Sequence, residues 1–445
     1  MQWVMNGYVL VLAAFILPGG ALGDRLGQRD VFAVGIAAFV LTSVWCGLAD
    51  GPGMLIAARV AKGAAGALMV PGSLALISRN YPRAERGRAI GLWSAASGLT
   101  TAAGPLVGGA ILSAGGAGAW RWLFFLNVPL GLAALGLVLA RVPRDAGHPD
   151  ERADWQGATL AAAGLGAVAY ALTRWSEGRG DAAALGAGLA GIAVLAGFVP
   201  WERRASDPMM PPDLFADRVF SGANALTLLL YLGMGGALFY LPTALIEGRG
   251  LSAARAGGVF VPMTLVMAAM ARPVGGWVDR RGPRAPLTLG PVIAGLAFAG
   301  LGIAARDGGY WSGVLPAMAV LGLGMGIAVP PLSAAVMGAA PDARAGAASG
   351  VNNAVSRVSQ LLAIAGLGVL AAAAYRAAIP PEASAALAAL GFGEADADLA
   401  PSAQAARRAA IGAGFGALSW AAAGLAWAAA GIGWLTLSGR GRAGA

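Results

Sequence analysis

Thirteen apolar runs, each roughly 18–25 residues and so long enough to cross a hydrocarbon core, succeed one another along the chain. They lie near 3–22, 31–49, 54–77, 89–113, 122–140, 156–174, 182–200, 219–242, 255–277, 286–304, 312–336, 346–373 and 409–436. Water is absent from a bilayer core, so backbone amides and carbonyls there must bond to each other, which leaves helices or closed barrels. The runs are continuously apolar without a two-residue alternation, and this selects helices. The expected fold class is an all-α membrane protein, a bundle with 13 transmembrane helices. Composition agrees: 12% of residues are charged, against about 25% in a soluble domain. The 70 glycines suit closely packed membrane helices, and the 13 tryptophans cluster near the ends of runs, as in interfacial belts.

The residue inventory removes most chemistry. The net charge of +9 comes from basic residues scattered through short loops, so no nucleic-acid surface is expected. His148 and Cys46 stand alone, which excludes an intrachain disulfide, a Cys/His metal cluster and a histidine-based triad. Lys62, the only lysine, precedes Gly63, whereas a phosphate-binding loop requires Lys followed by Ser or Thr. The chain is read as no enzyme, with no cofactor and no metal.

Loop charge orients the bundle. The alternate loops 23–30, 78–88, 141–155, 201–218, 278–285, 337–345 and 437–445 carry 18 basic residues; the opposite set carries 8. The richer set is expected in the cytoplasm, with the carboxyl terminus inside and Met1 outside. Met1 opens almost directly into a span, and one further span upstream would return both ends to the cytoplasm, so a missing first helix is expected. Polar stretches at 141–155 and 201–218 set off spans 156–174 and 182–200. The expected organisation is a first helix half over 1–140, two linking helices over 141–218 and a second half over 219–445. The long loop 374–408 is expected to be an outward cap or partly disordered.

A turn repeats across these halves. Gly20-Ala21-Leu22-Gly23-Asp24-Arg25-Leu26-Gly27-Gln28-Arg29 returns 255 residues later as Gly275-Gly276-Trp277-Val278-Asp279-Arg280-Arg281-Gly282-Pro283-Arg284. Such a repeat marks a duplicated half-molecule. Gly23 and Gly27 permit a sharp reversal, and Asp24 is expected at the amino end of the next helix. Gly91, Ala95, Gly98, Ala102 and Gly109 share one helical face, a smooth groove for a neighbour, and Pro105 is placed to bend that helix. Arg59 lies about 9 Å into its span by helical rise. A charge at mid-bilayer costs on the order of 2.5–3.5 kcal/mol, so Arg59 is expected to face the interior and meet an anionic or carbonyl partner, or to snorkel outward. Lys62 is about one turn deeper. In the second half Arg357 has Asn352, Asn353, Ser356 and Gln360 nearby; they either line a polar cavity or bond across helices. No Asp or Glu lies in the middle of any run. Basic residues without acidic ones favour neutral or anionic cargo over cations.

These motifs carry a resemblance. Gly20-x-Leu22-x-Asp24-Arg25-x-Gly27-x-Arg29 resembles the loop signature of the major facilitator superfamily between its second and third helices, and Gly275–Arg284, with Asp279, Arg280 and Gly282, resembles its weaker second copy. Arg59-Val60-Ala61-Lys62-Gly63 is similar to the fourth-helix motif linked to proton coupling. Gly104-Pro105-Leu106-Val107-Gly108-Gly109 looks like the fifth-helix antiporter motif. Trp120-Arg121-Trp122-Leu123-Phe124-Phe125-Leu126-Asn127-Val128-Pro129 resembles a signature of the fourteen-span drug:proton antiporter branch, as does the extra central pair. Gln28 departs from the loop motif, where a basic residue is usual, and the family's Asp-bearing first helix has no counterpart here.

The resemblance implies a multi-pass plasma-membrane transporter, monomeric, that exports small amphipathic compounds in exchange for protons, with the proton gradient as its energy source. Its implied roles are a cytoplasmic latch (Gly20, Asp24, Arg25, Gly27, Arg29, Asp279, Arg280, Gly282), proton coupling at Arg59 and a leak-sealing helix (Gly98, Gly104, Pro105, Gly108, Gly109). A substrate cavity would be lined by Asn127, Asn352, Asn353, Arg357 and Gln360. A proton-coupled importer of the same fold and a non-transporting membrane protein, a sensor or an inactive truncation, are the competing readings.

Overall fold

The computed structural model describes residues 2–81, 93, 96, 100, 104, 107–116, 118–145, 154–176, 180–206, 208, 210, 212–306, 309–339, 345–387, 390–392 and 399–437. Among them there is no strand. The first half contributes α1 (Gln2–Leu26), α2 (Gln28–Gly47), α3 (Pro52–Asn80), helical residues 107–114 and α4 (Asn127–Arg141). A linking pair follows, α5 (Trp155–Ser176) and α6 (Ala182–Glu202). The second half holds α7 (Arg218–Ile246), α8 (Ala253–Gly258), α9 (Phe260–Arg281), α10 (Arg284–Arg306), α11 (Leu315–Gly338), α12 (Ala345–Leu362), α13 (Gly368–Ala377), α14 (Pro381–Leu387) and α15 (Pro401–Thr436).

Among the described residues ten helical segments are long and apolar enough to cross a membrane, with a shorter apolar stretch at Trp3–Ile16. They coincide with ten of the thirteen expected runs. Run 3–22 falls within α1 and run 156–174 within α5, while most of run 89–113 lies outside the described residues.

The local sequence explains where helices begin. Asp217 starts α7 by accepting the amides of Val219 and Phe220, both at 2.8 Å. Asp181 starts α6 by accepting the Ala184 amide at 2.9 Å. That bond and the Arg174 guanidinium hold the Asp181 carboxyl below the usual carboxylate range. Pro52, whose missing amide is no loss at a helix start, opens α3.

Small residues let the helices approach closely. A Cβ on Gly19 would strike the Ala67 carbonyl, and one on Gly63 would lie 2.5 Å from the Tyr8 carbonyl, so α1 and α3 meet almost backbone to backbone. In the second half Phe220, Leu226, Leu230 and Leu241 of α7 form a continuous core with Phe298 of α10 and Phe415 of α15. The linking pair packs on itself at Gly164 and Gly191, where an added Cβ would come within 2.8 Å of the Gly164 carbonyl. Leu165 and Ala169 of α5 cluster with Val9 of α1, and Val358 of α12 packs on the same cluster. The pair thus touches both halves.

Of the two expectations for 374–408, partial disorder is corrected for the described part. α13 runs on to Ala377, α14 forms, and α15 begins at Pro401. Phe392 holds the segment down, edge-on to Tyr240 and Tyr375 with ring centroids 5.7 and 6.1 Å away. Buried aromatic area supplies the stabilisation that Ala-rich sequence does not announce.

Candidate functional site

Both copies of the repeated turn have one backbone solution. Gly27 has φ of 100° and Gly282 of 75°, a region that side-chain-bearing residues enter at a cost of about 1–2 kcal/mol. Each donates its amide four residues back, Gly27 to Gly23 at 3.0 Å and Gly282 to Val278 at 2.8 Å. Each closes one helix and starts the next within two residues. Gly20 sits one turn earlier, where an added Cβ would lie 3.4 Å from Pro71.

The expectation that Asp24 begins the following helix is corrected. Asp24 and Arg25 belong to the last turn of α1, and Asp279 and Arg280 to that of α9; the side chains of Asp24, Arg25 and Asp279 lie outside the described residues. The orphan amides that open α2 are capped by Asp145, from the segment after α4. Its Oδ2 accepts the Gln28 amide at 2.8 Å and its Oδ1 the Arg29 amide at 3.0 Å. A carboxylate at a helix amino end meets both the unpaired donors and the positive end of the dipole. Arg29 strengthens the junction by donating to the Leu139 carbonyl at 2.9 Å and to Asp30 at 2.8 Å. Its repeat-mate Arg284 stacks on Trp434 near the end of α15, 3.9 Å from the ring centroid. Both arginines therefore reach the closing helix of their own half. Arg280 donates only to the Gly276 carbonyl of its own helix among the bonds described, at 2.9 Å. Gln28 is buried at 3% exposure, beside Gly23 and Gly72; a basic side chain in that crevice would be desolvated, which accounts for the neutral residue.

Arg59 faces inward at 9% exposure. Its Nε donates to the Val4 carbonyl of α1 at 2.9 Å, an Nη meets the Met5 Sδ at 3.6 Å, and the guanidinium lies 4.3 Å from the Tyr8 ring centroid. The partner is a carbonyl and an aromatic face, and outward snorkelling is not observed. Lys62, one turn on, is buried at 3% exposure. Its ammonium rests over Phe39 of α2 at 4.3 Å and Phe124 at 5.3 Å.

In the second half the amide of Asn352 on α12 donates to Asn224 Oδ1 at 3.1 Å and to Thr227 Oγ1 at 2.8 Å, both on α7. Asn352 is thus a cross-helix bond. Arg357 lies within reach of Gln360 on its own helix, at 3.4 Å, and Asn353 is half-buried beside them. Asn127 turns its amide back onto the Leu123 and Phe124 carbonyls at 3.4 and 3.2 Å, far in the chain from the α12 group and on the other half.

Gly98 and Pro105 lie outside the described residues. A Cβ on Gly104 would meet nothing within 4 Å, and one on Gly108 would touch Leu123 at 3.6 Å. Gly109 is different: its added Cβ would lie 2.8 Å from the Ala253 carbonyl of α8. One turn on, Ser113 Oγ accepts the Ala254 amide at 3.2 Å. The glycine-rich helix of the first half is thereby seated against the second half.

The sequence of residues 1–364 matches the model of the Major Facilitator Superfamily. The chain belongs to the Major Facilitator Superfamily. It is a multi-pass membrane transporter of small molecules and not an enzyme. A tetracenomycin C resistance and export protein of Streptomyces glaucescens is 34% identical over 378 residues, 84% of this chain and 69% of that one. A multidrug resistance protein, Stp, of Mycobacterium tuberculosis is 32% identical over 390 residues, 86% and 70% of the two chains. The superfamily member described here spans roughly two thirds of the length of these relatives. A bacterial homologue of the human lysosomal transporter Spinster, solved inward-facing and occupied, superposes with a TM-score of 0.63 at 16% identity, over 98% of this chain and 89% of that one; at that identity the likeness concerns the fold.

Proposed function

We propose that this superfamily member exports small amphipathic compounds from the cell in exchange for protons, by alternating access between its two halves. The observation that carries the reading is the seam at Gly109 and Ser113, where the glycine-rich helix closes directly on Ala253–Ala254 of the other half. A seam of small residues can part and re-form without trapping side chains. The relatives named for resistance and export support the outward direction. On this reading the face bearing the repeated turns is cytoplasmic in the plasma membrane, which the excess of basic residues there supports. Asp24, Arg25, Arg29, Asp279 and Arg280 latch that face, and Gly27 and Gly282 supply its rigid corners. Arg59 modulates the proton step, and inward proton movement gains about 2.3 kcal/mol per charge per 100 mV.

The test is transport by the purified chain in proteoliposomes under an imposed pH gradient, with a cationic dye, rhodamine 6G, and an anionic one, carboxyfluorescein, as the reporters. Dye is expected to move against the proton gradient, and Asp24→Asn to abolish that movement at unchanged expression. Dye that moves with the protons would establish an importer, and no gradient-dependent flux would remove the transport reading. Unchanged flux in Asp24→Asn would remove the latch.

A further inference from the structure

Two buried cations on one face of α3 lie beneath a cavity at the end of the first half opposite the repeated turns. The cavity holds about 310 Å³ and its wall includes Val4, Leu55, Trp120, Arg121 and Asp50, within the range of small-molecule sites. Neither cation lines it, and lining residues adjoin the groups that hold both. Val4 gives its carbonyl to Arg59, and Leu55 lies one helical turn above that residue. Trp120 is edge-on to Phe124 with centroids 6.1 Å apart, and Phe124 is one wall of the Lys62 cage.

Lys62 has no hydrogen bond or ion pair among the described residues; the rings of Phe39 and Phe124 face its ammonium, with the Cys46 thiol close by. Such faces return less than the desolvation of an ammonium costs. The chain's first half offers no remedy. Its acids are Asp24, Asp30, Asp50 and Glu85, all near the ends of runs. Asp50 precedes α3, and Lys62 lies ten residues beyond the Pro52 start, about 15 Å by helical rise. Two like charges one turn apart, buried and bonded to no carboxylate among the described residues, are poor packing and a good receptor for an anion.

We propose that Lys62, Arg59 and the cavity above them form a binding station for an organic anion: a carboxylate or phenolate carried on an aromatic ring. Lys62 and Arg59 neutralise the acid group, and Arg121, stacked on Trp120 at 4.9 Å and bonded to the Gly47 carbonyl at 2.9 Å, adds a third cation at the mouth. Trp120, which lines the cavity, offers its ring to the planar part. Asp50 at the rim opposes an anion, so net attraction rests on the three cations. A cationic cargo would meet repulsion here. The inference rests on the export reading and narrows it to acidic cargo.

Two dyes of one ring skeleton and opposite charge, carboxyfluorescein and rhodamine 6G, test it on the purified chain in lipid nanodiscs. Fluorescence anisotropy reports binding independently of transport. Removing one partner of a buried charge pair leaves the other unneutralised, so Lys62→Met is expected to weaken carboxyfluorescein binding by at least about 30-fold. Lys62→Arg should stay near wild type, and rhodamine 6G binding should not weaken in either variant. Arg121→Gln, at the mouth, should weaken the anion alone and serves if Lys62→Met does not fold. Equal loss of both dyes in a variant with wild-type melting, or carboxyfluorescein binding that ignores both substitutions, overturns the proposal. So does a wild-type chain that exports rhodamine 6G and does not bind carboxyfluorescein, which leaves export standing. Charge-dependent anion binding without directed flux supports the station and overturns the export reading instead.

Discussion

Replacing Asp145 with alanine removes the carboxylate that accepts the Gln28 and Arg29 amides at 2.8 and 3.0 Å. Loss of a helix cap costs about 0.5–2 kcal/mol, and loss of the negative charge beside the positive helix end about 0.3–1 kcal/mol more. Asp145 is half-buried, so water replaces it incompletely, and the combined local cost is about 1–3 kcal/mol, a 5- to 150-fold change in an opening equilibrium. The bundle itself should hold, because α2 remains packed on α3 through Gly35 and Gly72. Hydrogen–deuterium exchange on peptides spanning 24–32 reads the effect directly: the Gln28 and Arg29 amides should exchange at least about fivefold faster, while α10 and α15 keep wild-type protection. Asp145→Asn should fall between. Asp30→Ala is the control, since its ion pairs with Arg29 and Arg144 involve a half-exposed carboxylate and such pairs contribute about 0–1 kcal/mol. Exchange at Gln28 and Arg29 within twofold of wild type, or acceleration spread evenly over the chain, would refute the capping argument.

Two further outcomes follow from the backbone. Gly27→Ala and Gly282→Ala each place a Cβ where φ is positive, and each should lower thermal stability by about 1–2 kcal/mol. Gly27→Ala should be the worse, because its Cβ would also lie 2.8 Å from the Asp145 carbonyl; equal melting temperatures for both variants and wild type would contradict this. Gly109→Val should leave expression intact and stop dye movement in proteoliposomes, since the seam with Ala253 has no room for a side chain. Wild-type flux in that variant would show that the contact opens and closes elsewhere.

Some of this site is legible in residue order. The repeat of Gly27 and Gly282 predicts a shared reversal, and both adopt positive φ with the same amide bond four residues back, because the constraint is local to a few peptide units. The inward orientation of Arg59 follows from the cost of a charge in lipid. Asp24 was misplaced by the same local logic: a carboxylate near a helix start usually caps it, but here the reversal comes three residues later, at Gly27. The actual cap, Asp145, lies 117 residues from Gln28, and nothing about an aspartate in a polar loop marks which helix end it will reach. The polar residues of α12 were equally open, since an asparagine that lines a cavity and one that bonds across helices look alike until the facing helix supplies Asn224 and Thr227.

Hydropathy and a repeated turn are enough to specify a helical membrane protein with two matching reversals, because each rests on what one segment must do in a bilayer. Which carbonyl meets Arg59, which rings enclose Lys62, which loop caps α2 and where the two halves touch depend on residues 23 to 141 positions apart. Those juxtapositions arise only when the helices pack, since close approach in lipid is decided by the shapes of two surfaces together and not by either sequence alone.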